Sequence, residues 1–485
     1  MKCSIFCAVI LVLSVSSVLA ADRPPNIVVV FTDDQGYGDL GCYGSPNIRT
    51  PHIDQLAAEG MRFTCFYAAA FCGASRAALM TGCYPPRVSV TFNHFPNATT
   101  GIHPDETTIA EVLKSAGYAT LHLGKWHLGD APEFLPTRHG FDEYFGLPYS
   151  NDMYPHHEML QIRENEPAAQ RAIRRRSRYT GSPWTQGPLK DLKLHLQERL
   201  EKPLPLIDGE TVVETMPDQS TLTTRYTERA IRFIKQHRDQ PFFVYLAHAM
   251  PHVYLHVSEK FRGKSERGLY GDVIMEIDWS VGQIRSTLEQ LGIDDNTLIV
   301  FTSDNGPWLG YGIDGGSAGP LRDGKGSEYE GGMRVPAIFW WPGKIPATHT
   351  TSEIAANMDL LPTFAELAGV SLASDRKIDG RSLWPLLSGA TDRGPHDKFY
   401  YFLGRRLGRI PIAAVRDRRW KLLLRRSEDG TFQVGPLYDL AWDVSERTNR
   451  INDHPEEARR LEASARIFCN MLQDNIRPLG SLAVR

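Results

Sequence analysis

Two pairs of oxygen-bearing side chains follow apolar runs of the sequence and together could bind a cation. Asp33 and Asp34 come soon after one such run, and Asp304 and Asn305 come soon after another. Neighbouring carboxylates repel each other unless a positive charge lies between them, and hard divalent cations prefer oxygen ligands. Either pair alone would equally suit a capped turn. Both pairs together predict one all-oxygen site for calcium, with magnesium as the alternative, and no Cys/His spacing is typical of zinc.

A single cysteine, Cys72, opens a segment of unusual composition. It is followed by Gly, Ala, Ser and Arg76, and we predict that this segment begins a helix that continues to Thr81. The backbone N–H groups at the amino end of a helix favour an anion, and Arg76 lies one helical turn from Cys72. A buried structural thiol is the simpler interpretation of one isolated Cys. The Ser-Arg pair and the Thr-Gly pair that follow favour a chemical role instead.

The same segment resembles the signature of a known enzyme family. Residues 72–82 have the sequence CGASRAALMTG, which is similar to the signature of the sulfatases. In that family the cysteine is oxidised after translation to formylglycine. Many members have Pro in place of Ala74 and Leu in place of Met80. The resemblance implies that Cys72 becomes formylglycine and that a formylglycine-generating enzyme is a partner during maturation.

Further motifs extend the resemblance, in the family's order, over nearly the whole chain. They occupy residues 124–129 (GKWHLG), 241–252, 302–306 (TSDNG), 324–332 (GKGSEYEGG), 437–440 and 446–449. The nearest similarity is to the branch of arylsulfatase A and N-acetylgalactosamine-6-sulfatase. Only the segment 156–202 has no counterpart that we can name.

The resemblance implies a role for each polar residue of these motifs. The implied metal ligands are Asp33, Asp34, Cys72, Asp304 and Asn305. The implied catalytic residues are Cys72, Arg76, Lys125, His127, His252, Lys325 and Asp304. The implied substrate contacts are Lys125, His252, Lys325 and Ser150. His248 lies just past the same predicted strand as His252 and stays an alternative to it.

The activity implied by the resemblance is the hydrolysis of sulfate esters, with a sulfated sugar of a polysaccharide or glycosaminoglycan as the substrate. One alternative is a phosphatase or phosphodiesterase of the alkaline phosphatase superfamily, which usually has a Ser or Thr nucleophile and two zinc ions. A second alternative is an inactive protein that binds sulfated glycans. The Cys-Gly-Ala-Ser-Arg segment argues against the first alternative, and the retention of every polar position argues against the second.

Short apolar runs alternate with helical patterns before about residue 369. The predicted strands are 26–31, 119–123, 242–246 and 298–301, and the predicted helices are 107–116, 222–237 and 272–291. This alternation predicts an α/β domain with a large, mainly parallel sheet, whose chemistry gathers beyond the carboxyl ends of the strands. The family resemblance implies the alkaline-phosphatase-like sandwich.

We expect a catalytic domain at 21–369 and a smaller α+β domain at 370–485. The smaller domain has predicted strands at 398–403, 412–415 and 420–424, which suit a short antiparallel sheet, and an amphipathic helix at 455–472. We interpret 156–202 as a variable insertion in the first domain. Its basic cluster is either a solvated helical surface or an electrostatic guide for a polyanionic substrate, and consists of Arg171, Arg174, Arg175, Arg176 and Arg178.

The charge and the first twenty residues predict where the protein works. A net charge of −3 over 485 residues argues against a dedicated nucleic-acid binder or a binder of anionic membranes. Residues 1–20 resemble a signal peptide, with Lys2, an apolar run too short for a stable membrane insertion, and small residues before Ala21. We expect an exported protein, periplasmic or secreted in a bacterium and lysosomal or secreted in a eukaryote.

The cysteine count adds one constraint on an exported chain. Of the seven cysteines, Cys3 and Cys7 lie in the predicted signal peptide, which leaves five in the mature protein. Because five is odd, at least one thiol is unpaired within a monomer. The sequence does not fix the disulfide pairing among Cys42, Cys65, Cys83 and Cys469, nor the oligomeric state.

Overall fold

The computed structural model describes residues 23–154, 203–404, 410–426 and 431–482. The predicted signal peptide and the segment 156–202, with its basic cluster, lie outside these residues. No helix in the described part of the chain has both the length and the apolar composition needed to cross a bilayer.

A large sheet of eleven described strands forms the centre of the structure. Its strands are β1 (Asn26–Thr32), β2 (Met61–Tyr67), β4 (Ala119–Lys125), β5 (Glu143–Leu147), β6 (Pro205–Asp208), β7 (Thr211–Thr215), β8 (Phe242–Ala247), β9 (Thr297–Ser303), β10 (Arg334–Trp340), β11 (His349–Thr351) and β12 (Ala355–Ala356). In space they follow the order β11, β2, β10, β9, β1, β8, β4, β5, β6 and β7, with β12 beside β2. The central strands β9, β1, β8, β4 and β5 are all parallel.

Helices cover both faces of this sheet. The described helices are α1 (Pro51–Glu59), α2 (Cys72–Thr81), α3 (Ile109–Ser115), α4 (Leu222–Gln236), α5 (Leu269–Leu291), α6 (Glu330–Met333), α7 (Leu360–Leu367), α8 (Trp384–Leu387) and α9 (Pro455–Gln473). Along β1, Val28 packs into one core with α1, α4 and α5, while Val29 packs into the other with α2, α3 and α7. Because both faces are covered, the whole of β1 is buried, and its residues between Asn26 and Thr32 are all apolar. The predicted α/β sandwich is confirmed.

Most predicted elements are present with shifted ends. Helix α3 begins at Ile109 because Thr108 and Glu111 form a capping box, and α5 begins at Leu269, after Gly268 with a φ of 75°. Four of the eleven strands of the large sheet were predicted, and the other seven, which include β2 and β10, escaped prediction. Pro336 lies inside β10, where the pairing with β2 shifts register, and a Pro in a run is a signal against a strand.

A separate four-stranded antiparallel sheet lies in the C-terminal part of the chain. Its strands are β13 (Phe399–Phe402), β14 (Ile412–Arg416), β15 (Trp420–Arg426) and β16 (Phe432–Asp439). Helix α9 buries Leu461 and Ala465 in the same core as Leu422 of β15. The predicted short antiparallel sheet with an amphipathic helix is therefore confirmed. A final pair of two-residue strands joins β3 (Thr100–Gly101) to β17 (Gly480–Ser481).

A buried charge network connects the C-terminal sheet to the start of α6. Glu330 accepts hydrogen bonds from the hydroxyls of Tyr401, at 2.5 Å, and Tyr67, at 2.7 Å, and from Lys421 Nζ at 2.9 Å. Lys421 Nζ also lies 2.8 Å from a carboxylate oxygen of Glu446. Burial alone would raise the pKa of Glu330, but Lys421 together with Arg416 and Arg334 outweighs it and holds that pKa well below its usual range. Lys421 therefore bridges two buried carboxylates, and Arg334 and Arg416 also pair with Glu330, at 3.3 Å and 3.5 Å.

We predict that Lys421→Met destabilises the protein strongly, because it leaves Glu330 and Glu446 buried without their shared cation. The expected loss in the free energy of unfolding is about 3–5 kcal/mol, measured by urea denaturation followed through tryptophan fluorescence. Lys114→Met is the matched control, because its ion pair with Asp142 joins side chains that are 51% and 40% exposed, and it should cost much less. Equal losses in the two variants would contradict this interpretation of the network.

Candidate active site

The carboxyl ends of the central parallel strands carry the candidate residues along one edge of the large sheet. In spatial order, β9 is followed by Asp304, β1 by Asp33 and β8 by His252, while β4 ends at Lys125 and β5 is followed by Ser150. Neighbouring parallel strands end at the same edge, so residues far apart in sequence meet there.

The two oxygen-bearing pairs meet because β1 and β9 are paired in register, with Thr32 opposite Ser303. The backbone N–H of Asp34 donates to Asp304 Oδ1 at 3.1 Å, and Asn305 Nδ2 donates to Asp34 Oδ1 at 2.7 Å. Asp34 has a φ of 62°, in the left-handed region that non-glycine residues rarely adopt. Such backbone strain is concentrated at functional sites.

Cys72 is the first residue of α2, and its sulfur faces this carboxylate group. The thiol donates to Asp33 Oδ1 at 3.3 Å and lies 3.8 Å from Asp34 Oδ1, while Lys325 Nζ is 3.3 Å from the sulfur and 2.8 Å from Asp34 Oδ2. Burial, followed by the charges of Asp304 and Asp33, raises the pKa of the thiol well above its usual value. The unmodified thiol is therefore neutral and a poor nucleophile.

Buried basic side chains balance the carboxylates. Arg76 donates from one guanidinium nitrogen to Asp304 Oδ2 at 2.9 Å and from another to the carbonyl oxygen of Lys125 at 2.7 Å. The ammonium group of Lys125 pairs with Asp33. With Lys325, three basic groups face three carboxylates in a site that is almost fully buried. Since buried charges must be paired, each member depends on the others.

His127 is positioned as a buried neutral imidazole. Its φ is 65°, its Nε2 lies 3.1 Å from the carbonyl oxygen of His94, and its Nδ1 has no hydrogen-bond partner among the described residues. Burial, together with the charges of Lys125 and Arg76, lowers its pKa well below the usual value. A neutral imidazole with a free ring nitrogen can accept a proton.

The choice between His252 and His248 is decided by position. His252 Nε2 lies 3.6 Å from Asp34 Oδ2, inside the carboxylate group. His248 is buried with both ring nitrogens unpartnered among the described residues, its ring lies 6.5 Å from that of Tyr226, and burial lowers its pKa to about 3. The geometry therefore favours His252. The hydroxyl of Ser150 is buried, and no hydrogen bond within the described part of the chain joins it to the group.

The residues at this edge of the sheet fit a divalent cation, and three of the predicted ligands lie in one close group with His252. Ligand atoms of Asp33, Asp34, Cys72 and His252 all lie within 4.8 Å of one another. His252 was expected on the substrate side and not among these atoms. Asn305 Oδ1 is buried and has no hydrogen-bond partner in the described chain, so a bound cation or a water molecule would satisfy it. A donor set made mainly of oxygen suits calcium or magnesium better than zinc.

The acidity of Asp304, a predicted ligand, also indicates that the site binds a cation. Burial, followed by repulsion from Asp33, raises the pKa of Asp304 to about 7. Arg76 opposes this increase without cancelling it. A bound cation would relieve the repulsion and favour the ionised carboxylate.

Two neighbours of the site escaped the sequence analysis. Asn93 Oδ1 accepts from the backbone N–H of Gly73 at 2.8 Å, and the ring of Trp308 lies 4.5 Å from Lys325 Nζ and 5.4 Å from the ring of His252. Trp308 comes shortly after the predicted ligand Asp304 in the sequence, and this position could have identified Trp308 as a neighbour of the site. Asn93 had no such signal, because only the folded chain brings it to the start of α2.

Comparison with known proteins agrees with this geometry. A family model described as Sulfatase matches residues 25–370. The chain belongs to the sulfatase family. A second model, described as N-sulphoglucosamine sulphohydrolase, C-terminal, matches residues 324–467 of this sulfatase.

Individual relatives place the sulfatase near the expected branch. N-acetylgalactosamine-6-sulfatase of Canis lupus familiaris is 40% identical over 427 residues, which cover 85% of this chain and 75% of the relative. Arylsulfatase A of Homo sapiens is 40% identical over 398 residues, which cover 81% of this chain and 73% of the relative. The crystal structure of Ps i-CgsB in complex with k-i-k-neocarrahexaose matches with a TM-score of 0.74 and 30% identity, covering 94% of each chain. The sulfatase is therefore a sulfuric ester hydrolase, and the predicted branch is confirmed.

We predict that calcium stabilises the metal-stripped sulfatase. At a free concentration of a hundred times Kd, one site adds about 2.7 kcal/mol to the free energy of unfolding, which raises the Tm measured by calorimetry.

Because Asp304 takes up a proton as the pH falls through about 7, the calcium affinity measured by titration calorimetry should weaken over that range.

Two variants separate a specific site from general ion binding. Asp34→Asn should remove the calcium-dependent rise in Tm. Asp278→Asn is the matched control, because Asp278 is also buried, but its carboxylate accepts from the backbone N–H of Ile53 at 2.8 Å. Calcium should still stabilise that variant, and an equal loss in both would contradict the assigned site.

Proposed function

We propose that this sulfatase hydrolyses sulfate esters of sugars in a polysaccharide or glycosaminoglycan, with formylglycine made from Cys72 as its nucleophile. The supporting observation is the position of the Cys72 sulfur, 3.3 Å from both Asp33 Oδ1 and Lys325 Nζ. The canine relative is named as an N-acetylgalactosamine-6-sulfatase, and Ps i-CgsB has been solved with a neocarrahexaose. Both names point to carbohydrate substrates.

The neutral thiol of Cys72 explains why its conversion is needed. Oxidation to an aldehyde replaces the poor nucleophile, and the aldehyde hydrate offers two hydroxyl groups. One attacks sulfur and releases the alcohol, and loss of the proton from the other expels sulfate and restores the aldehyde. Because the Cys72 side chain is fully buried, we expect the formylglycine-generating enzyme to act before α2 packs against the sheet.

The basic residues provide the charge complementarity. A sulfate ester carries negative charge throughout the reaction, and Arg76, Lys125 and Lys325 surround the place where it would bind. A divalent cation, when bound, supplies further positive charge that polarises the sulfate group and the nucleophile. His252 or Lys325 donates a proton to the leaving alcohol, since both lie beside Asp34.

His127 and Asp304 accept protons in the proposed cycle. His127 is neutral and has an unpartnered Nδ1 within the described chain, so it can take the proton of the second hydroxyl group. Asp304 assists in activating the nucleophile as well as in binding the cation. Export from the cytoplasm, as indicated by residues 1–20, completes the proposal.

The two alternatives have weaker support. A phosphatase of the related superfamily would need a Ser or Thr nucleophile and usually a second metal cluster, whereas the described residues contain one buried group of metal-binding side chains. An inactive glycan binder would not need Cys72 to face the carboxylates at hydrogen-bonding distance.

We predict that peptide mass spectrometry finds position 72 as the aldehyde or its hydrate, and that Cys72→Ala lowers kcat by at least about a thousandfold because the nucleophile is lost. Circular dichroism should show that the variant still folds. Cys469→Ala, in α9, is the control and should keep full activity. Unchanged sulfate release by Cys72→Ala would refute the mechanism.

We also predict that 4-nitrophenyl sulfate is a better substrate than 4-nitrophenyl phosphate by at least about a hundredfold in kcat/KM. A panel containing the 4-sulfate and 6-sulfate of N-acetylgalactosamine and galactose 6-sulfate, assayed for free sulfate, then identifies the preferred sugar. Comparable phosphate hydrolysis would favour the phosphatase alternative. No turnover of any sulfate ester would favour the inactive binder.

A further inference from the structure

Three partly exposed aromatic side chains form a wall beside the buried residues on the proposed sulfate side. This aromatic wall consists of Trp308, Tyr311 and Tyr254. The rings of Trp308 and Tyr311 are 4.7 Å apart at 72°, and those of Tyr311 and Tyr254 are 6.3 Å apart at 86°. The ring of Trp308 also lies 4.5 Å from Lys325 Nζ and 5.4 Å from the ring of His252. The wall therefore extends from the buried site towards solvent.

A polar segment, residues 150–152, lies against the same wall. Ser150, Asn151 and Asp152 are only 1%, 0% and 9% exposed. One oxygen of each side chain has no hydrogen-bond partner among the described residues. Asn151 Nδ2 donates to the carbonyl oxygen of Tyr254 at 3.1 Å, which joins the polar segment to the aromatic wall. Buried oxygens without partners are costly, and a ligand with hydroxyl groups would satisfy them.

The polar segment is tied to the proposed reaction site through the backbone. The N–H of His127 donates to the carbonyl oxygen of Pro148, shortly before Ser150, at 3.0 Å. Asn151 in turn holds the backbone of Tyr254, shortly after His252, and the ring of Trp308 lies 5.4 Å from the ring of His252. The aromatic wall and the polar segment therefore both reach the surroundings of His252.

We propose that this space binds the sugar ring that carries the sulfate group. The apolar C–H face of a pyranose packs on Trp308, and its hydroxyl groups donate hydrogen bonds to Ser150 and Asp152. This inference rests on the proposed sulfatase activity towards sugars. A pyranose has both an apolar face and hydroxyl edges, which match an aromatic ring and unpaired oxygens respectively.

The same chemistry predicts selectivity within the class of sulfate esters. A sulfated phenol could stack on Trp308 but would leave the oxygens of Ser150 and Asp152 buried without partners. A site built to bond hydroxyl groups discriminates against ligands that lack them. The substrate is therefore a pyranoside sulfate with free hydroxyl groups on the sulfated ring.

The first test is Trp308→Ala, with N-acetylgalactosamine 6-sulfate as the substrate, or the preferred sugar of the panel. We expect KM to rise about tenfold and kcat to change less than about threefold, because stacking contributes mainly to binding. The inhibition constant of inorganic sulfate should stay within about twofold, since sulfate alone does not reach the wall. Trp308→Phe should restore KM, and Trp442→Ala, at a side chain 86% exposed, is the matched control.

The second test is Asp152→Asn, which keeps the shape of the side chain and removes its charge. We expect kcat/KM for the sugar sulfate to fall about tenfold and that for 4-nitrophenyl sulfate to change less than about twofold. If Asp152 acted only through His252, both substrates would lose activity equally, which would overturn the inference.

The proposed sulfatase activity and the proposed sugar site can be refuted separately. If the unaltered enzyme releases no sulfate from any ester, the proposed function is wrong. If it hydrolyses sugar sulfates and the Trp308 variant keeps its KM, or loses affinity for sugar and inorganic sulfate alike, only the sugar site is wrong.

Discussion

Mutual neutralisation of buried charges at the ends of β1 and β9 is the constraint on which the rest of the site depends. Three carboxylates and three basic groups lie together almost out of contact with water, and an unpaired charge there would cost several kcal/mol. Arg76 can hold Asp304 only because α2 begins beside β1. The parallel register of β1 and β9 brings the carboxylates together. The electrostatics of the site therefore require the sheet order.

This arrangement also supports the proposed conversion of the side chain at position 72. The backbone amides at the start of α2 favour an anion, but burial and two carboxylates keep the Cys72 thiol neutral. An oxidised side chain is polar without needing a negative charge in the resting state. The surrounding basic groups are then available to neutralise a sulfate ester, which itself brings the negative charge. Burial thus makes the unmodified thiol unreactive, which is the physical reason for the conversion that we propose.

The C-terminal sheet is physically coupled to the same site. Lys325 and Glu330 lie on one short segment, whose backbone is fixed by a hydrogen bond from the N–H of Lys325 to the carbonyl oxygen of Pro307 at 3.0 Å. Glu330 in turn is bound by Lys421 of β15. A buried charge network in the C-terminal region therefore helps to position a basic residue that faces Cys72. The match of a sulphohydrolase C-terminal model to residues 324–467 spans this same connection.

The sequence alone determined the local features: apolar runs long enough to be buried strands, Asp33 and Asp304 just after two of them, and Cys72 at a helix start. These depend on neighbours in the chain, so composition and spacing reveal them. The tertiary structure decided which strands are adjacent, that His252 and not His248 reaches Asp34, and that the ring of Trp308 lies beside the same imidazole. Strand order and side-chain direction arise from packing between distant segments, and no local pattern encodes them.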